Sequence, residues 1–92
     1  MNFQPIFHRS RRKDKKYMVL TPGGKWVHFG DSSMEQYKDS TGLGLYKHLD
    51  HGDKIRRKSY LARAKGIRNK AGKLTWNNPE SANFYSVAYL WS

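Results

Sequence analysis

Tyr17-Met18-Val19-Leu20-Thr21-Pro22-Gly23-Gly24-Lys25-Trp26-Val27-His28-Phe29 is the stretch whose reading decides the fold. On either side of the Pro-Gly-Gly, β-branched and aromatic residues supply side chains that suit a pleated, half-buried surface. Pro22 sets φ for the second position of a turn, and Gly23 supplies the positive φ of the third. The reading is a β-hairpin over residues 17–29, ended by Gly30-Asp31.

Toward the C-terminus the pattern changes. Ser32 with Glu35 three positions on fits a capping box for a short helix over residues 34–38. Thr41-Gly42-Leu43-Gly44 is flexible, and Leu45, Tyr46 and Leu49 form a short apolar stretch. Asp53 is placed to cap a helix that runs to a C-cap at Gly66. Tyr60, Leu61, Ala64 and Ile67 fall at helical spacing and are expected to face the core. Asn78-Pro79-Glu80 has the character of a second helix start. Phe84, Val87, Ala88 and Trp91 would then share one face, and Tyr85 and Tyr89 another. A period-2 reading of residues 84–91, as a buried strand, competes with the helix.

Toward the N-terminus, Phe3, Ile6 and Phe7 form an apolar trio around Pro5. Arg9, Arg11, Arg12, Lys13, Lys15 and Lys16 follow, offset only by Asp14. Like charges so close together repel each other and disfavour packing. Residues 1–16 are therefore expected to be a basic arm, contributing little to the fold of a small α+β domain over residues 17–92. Phe3, Ile6 and Phe7 become candidate apolar anchors for a neighbour.

Charge carries the functional signal. The 92 residues hold 18 Lys and Arg against 7 Asp and Glu, a formal net charge of +11. Such an excess steers a protein toward phosphates or acidic protein faces. From Lys54 to Lys73 no acid interrupts the cations. In a helix over residues 54–65, Arg56 and Arg63 lie on one stripe, widened by Arg57, Lys58 and Lys65, and Arg forks onto phosphate oxygens in pairs. With Arg68, Lys70 and the cations of the arm, these residues are the candidate polyanion or partner surface. Thirteen aromatic residues argue against a disordered chain. They sit mostly apart from the basic runs, which argues for a core with a charged exterior rather than a surface for unpaired bases.

Catalysis finds little footing. There is no cysteine, hence no disulfide, thiolate site or cysteine nucleophile. No Gly-x-Ser-x-Gly elbow or P-loop is present. His48-Leu49-Asp50-His51 resembles part of a nuclease metal site, but such a site needs a third convergent ligand. The plainer reading is that His48 or Asp50 hydrogen-bonds the chain near the helix start. We therefore expect no enzyme activity, cofactor, metal or small-molecule substrate. No apolar run is long enough to span a membrane, and Met1 to His8 is too short and polar for a secretory signal.

Three stretches together carry a resemblance: residues 17–31, then Arg57-Lys58-Ser59-Tyr60-Leu61-Ala62-Arg63-Ala64, then Ala82-Asn83-Phe84-Tyr85-Ser86 with Tyr89-Leu90-Trp91. The chain resembles an uncharacterised family of small basic proteins encoded by large nucleocytoplasmic DNA viruses. In that family a VxFGD hairpin end precedes a YxxHxDxxRKxxYLxRH helix region and an FxSxxLLW terminus. The chain departs from the pattern at Ala64, where the family has His, and Gly42 to Leu45 looks inserted. The resemblance implies a viral protein made in the host cytoplasm or nucleus and located in the virion. Its expected role is that of a minor capsid protein cementing acidic faces of larger neighbours. The alternative is a sequence-independent nucleic-acid binder that packages viral DNA, with a metal-dependent nuclease a distant third.

Overall fold

A computed structural model describes residues 4–92. Phe3 lies outside the described residues. The fold is α+β. Three antiparallel strands, β1 (Phe7–Arg9), β2 (Lys15–Leu20) and β3 (Trp26–Asp31), form one sheet in the order β1-β2-β3. A 3-10 turn (Lys47–Leu49) and two helices follow, α1 (Lys54–Ala64) and α2 (Ala82–Tyr89).

The expected hairpin is β2 and β3, with Tyr17 opposite Phe29 and Val19 opposite Val27. Its turn differs in one respect. Gly24, not Gly23, takes the positive φ, at 81°. The Gly24 N–H donates to Thr21 O at 2.9 Å and the Thr21 N–H to Lys25 O at 2.8 Å. This is a type I turn followed by a left-handed residue, one of the standard longer hairpin connections. Gly23 serves another end: its N–H donates to the Glu80 carboxylate at 2.8 Å, and the Thr21 hydroxyl donates to the same carboxylate.

The expectation of a free basic arm is corrected. Residues 7–9 pair with β2, Phe7 opposite Val19, and residues 15 and 16 belong to β2 itself. The physical reason is strand alternation, which turns Phe7 inward and His8 outward, while Arg9, on the Phe7 side, lies at the end of the strand and stays exposed. Arg11, Arg12 and Lys13 fall in the exposed loop between β1 and β2, where water screens their repulsion. Phe7 is 8% exposed and packs edge-on against Tyr89, with ring centroids 4.6 Å apart, and against Phe29 at 5.7 Å. It is thus a core residue and not an anchor for a neighbour. Ile6, 72% exposed, remains outside the core.

The core lies between one sheet face and α2. Phe7, Tyr17, Val19, Val27 and Phe29 from the strands meet Tyr85 and Leu90. Residues 84–91 are therefore a helix and its exit rather than a strand. Ser81 caps α2, its hydroxyl accepting from the Asn83 N–H at 3.2 Å. Asn78 closes a turn before the helix instead, because Glu80 is drawn to the hairpin. The buried positions of α2 are Tyr85, Ser86 and Val87, so the face is rotated from the expected Phe84-Val87-Ala88 stripe.

Asp53 caps α1 as read, accepting from the Ile55 and Arg56 N–H groups. The helix ends at Ala64 with Lys65 as C-cap, and Gly66 lies just beyond. Ile67 is consequently off the helical stripe and 51% exposed. Tyr60 stacks on Trp91 with ring centroids 4.0 Å apart and planes 8° from parallel, tying α1 to the chain after α2.

Residues 32–52 hold no α-helix. The expected capping box is replaced by a turn in which Asp31 accepts from the Ser33 N–H and hydroxyl. A polar network organises the rest. Tyr17 donates its hydroxyl to Asp39, which also accepts from the Thr41 N–H and hydroxyl. Asp50 accepts from Gln36 Nε2 at 2.6 Å and from the Asp39 N–H at 2.9 Å. Gln36 is fully buried and Asp39 nearly so, and polar groups withdrawn from water need such partners.

Candidate partner-binding surface

The acidic residues are mostly consumed inside the fold. Asp31, Asp39, Asp50, Asp53 and Glu80 all accept from N–H or O–H donors that shape turns, a helix start or the hairpin. Burial pushes the Asp39 carboxyl up, but hydrogen bonds from Tyr17 and Thr41 outweigh it and hold the group below the usual carboxylate range. The Glu80 carboxyl is likewise held low, chiefly by the Thr21 hydroxyl. Among the described residues only Asp14 and Glu35 form ion pairs, with Arg12 at 3.2 Å and Arg56 at 3.0 Å. Both pairs are exposed, where such contacts contribute little. The excess positive charge is thus left on the surface.

The predicted cations do not form one stripe. Arg11, Arg12 and Lys13 lie on the β1–β2 loop. Arg9 leaves β1 with its guanidinium 5.8 Å from the Tyr46 ring. Lys16 is buried at 2% exposure, its Nζ donating to Met34 O at 2.7 Å, and desolvation lowers the pKa of its ammonium. Lys16 is therefore a structural residue, which corrects its placement on a polyanion surface. Its side chain lies along β2 toward Gly30, where the absence of a Cβ leaves room. Arg57 is half-buried, donating to Trp91 O at 3.0 Å with its guanidinium 5.4 Å from the Tyr37 ring. Lys58 and Lys70 are exposed, Lys65 lies over the Trp76 ring, and Arg68 donates to Gly72 O.

Arg56 and Arg63 do converge, on a cleft of about 590 Å³ between β3, the loop after it, α1 and the end of α2. Phe29, Tyr60, Leu90 and Trp91 give it an apolar lining, and Lys15 stands at its edge with the two arginines. Met34 projects from the loop at 58% exposure and Ile55 from the first turn of α1 at 79%. The Glu35–Arg56 pair joins these two lips. Gly30 is required here: its φ is +78°, and an added Cβ would stand 2.8 Å from Leu90 Cδ1. Such a cleft can take an apolar side chain while its cations meet neighbouring carboxylates. Met34 and Ile55 were missed by the sequence reading. Ile55, apolar between Lys54 and Arg56 and off the Tyr60-Leu61-Ala64 stripe, carried the one available signal.

The histidine cluster does not assemble. Asp50 is engaged by Gln36 and Asp39, and His51 Nδ1 accepts from the Asp53 N–H at 2.9 Å. His48 is exposed and stacks near Tyr46. Among the described residues no three His, Cys, Asp or Glu side chains gather as a metal site. No described helix is long and apolar enough to cross a membrane.

A family model described as "Family of unknown function (DUF5754)" matches residues 6–41, the three strands and the loop that follows them. Neither the curated proteins nor the solved structures contain a match.

Proposed function

We propose that the protein is a minor structural component of a large DNA virus particle, a small cement that grips acidic faces of larger shell proteins. The observation that carries this reading is the cleft: an apolar lining between Met34 and Ile55, with Lys15, Arg56 and Arg63 at its edge. Phosphate backbones need cations but have no use for an apolar lining, whereas a polypeptide with apolar and acidic side chains uses both. Buried apolar contact also survives salt that screens surface charge. The viral assignment and the location in the virion rest on the motif resemblance.

Crosslinking mass spectrometry on purified particles tests this reading. Links from Lys15 or Lys54 to an acidic segment of a shell protein, lost together with incorporation in Ile55→Asp, are the expected result. Normal incorporation of Ile55→Asp, with the protein recovered alongside the genome, would refute it.

A second reading, sequence-independent binding of nucleic acid, is favoured by the cations of the β1–β2 loop and α1 that have no acidic partner among the described residues. Its mark would be affinity for duplex DNA falling steeply with salt.

A further inference from the structure

Trp26 begins β3 with its side chain 43% exposed. Alternation along the strand places it opposite in sense to Val27 and Phe29, hence on the sheet face that α2 does not cover. His8, aligned through Met18 with His28, shares that face, and its ring lies 5.8 Å from the Trp26 ring. Arg11 reaches the same indole from the β1–β2 loop, its guanidinium carbon 5.9 Å from the ring centroid. The loop is fixed in place. The Ser10 hydroxyl bonds His28 Nδ1 at 2.7 Å and accepts from the Arg12 N–H at 3.0 Å, while the Ser10 N–H donates to Lys16 O at 3.1 Å. Lys25, exposed, precedes the ring along the chain and has no ion-pair partner among the described residues. A large indole 43% exposed on the sheet face turned away from α2, beside Arg11 and Lys25, is a poor structural device and a good stacking platform.

We propose that this face binds single-stranded nucleic acid, one base stacking on Trp26 while backbone phosphates meet Arg11 and Lys25. An indole face stacks on an unpaired base of any type, and the surrounding cations follow the phosphates. Duplex bases are already stacked on each other and cannot use the ring. Arg11 lies near the outer limit of a cation–π contact, so an arriving base displaces it at small cost and the guanidinium turns to phosphate. Trp26, His8 and Arg11 do not line the cleft, so this site stands apart from the cement reading.

The test compares binding of a labelled oligothymidylate and a duplex of equal length, at near-physiological salt, by fluorescence anisotropy. Trp26→Ala should weaken single-strand binding about tenfold and duplex binding less than about twofold, with Trp26→Phe close to native. Ile55→Asp should leave single-strand binding unchanged, which separates this site from the cleft. Equal losses on both nucleic acids, or no loss on the single strand, would overturn the proposal. A second measurement needs no variant: oligothymidylate should slow N-bromosuccinimide oxidation of Trp26 in the native protein, read by peptide mass. An unchanged rate would also overturn it.

Discussion

Replacing Phe7 by Ala separates a sheet strand from a free arm. Phe7 is 8% exposed, with its ring against Phe29, Tyr85 and Tyr89. Truncating a buried phenylalanine costs about 3–5 kcal/mol. β1 is short and at the sheet edge, so partial collapse of the gap favours the low end, about 3 kcal/mol. At roughly 0.05–0.15 kcal/mol per residue, a domain of this size has only about 5–14 kcal/mol in total. Each kcal/mol corresponds to about 4–8 °C in a domain under a hundred residues, so the midpoint should fall by about 12–24 °C. Thermal unfolding followed by circular dichroism, with urea unfolding for the free energy, measures the loss. Ile6→Ala, at an exposed position one residue earlier, should shift the midpoint by no more than a few degrees. A drop under about 3 °C for Phe7→Ala would mean that β1 does not hold to the sheet and that the +11 chain does carry a loose arm.

Gly30→Ala should destabilise by about 1–3 kcal/mol in urea unfolding, because the new Cβ meets Leu90 at a positive φ; native stability would refute the packing at that corner. Burial, with the Asp39 bond as a second cause, pushes the Tyr17 hydroxyl up to about 12, and burial raises Tyr85 to about 12 as well. Both therefore bind protons more tightly in the folded state, so their stabilisation is present below pH ~10 and lost as pH rises toward ~12. Absorbance titration of tyrosinate should show these two ionising late and together with alkaline unfolding. Asp39, held low when folded, contributes stability above pH ~4 that fades as pH falls through its folded value, and Asp39→Asn should flatten that acid limb. Reversing charge at Lys58 and Arg63 should leave the midpoint unchanged and reduce the salt slope of duplex binding by roughly 0.9 per lost phosphate contact. Arg57→Glu should instead destabilise the fold, because Arg57 holds Trp91 O and covers Tyr37.

The hairpin and the Asp53-capped helix were legible in the sequence, because each rests on local chemistry: a Pro-Gly turn and a carboxylate before good helix formers. For residues 84–91 helix and strand both fitted the apolar pattern, and packing against the sheet decided for the helix. The charge excess was legible as well, since it needs only counting. What the acids do was not: Asp39, Asp50 and Glu80 take donors 11 to 59 residues away, and no local pattern encodes a partner so distant. Charge repulsion made residues 1–16 look unstructured, yet alternation let Phe7 enter the core while the cations that follow it lie at the strand end and in the exposed loop. Lys16 was counted with the surface cations, and only the packing of β2 against Gly30 and Met34 O buried it. The cleft and the Trp26 face escaped for the same reason. Met34 and Ile55 line one cleft, and Arg11 meets Trp26, through topology alone, so aromatics and cations that are separate along the chain become neighbours in space. Local sequence determined which elements form and the sign of the surface, and tertiary packing decided which charges remain on that surface and what they stand beside.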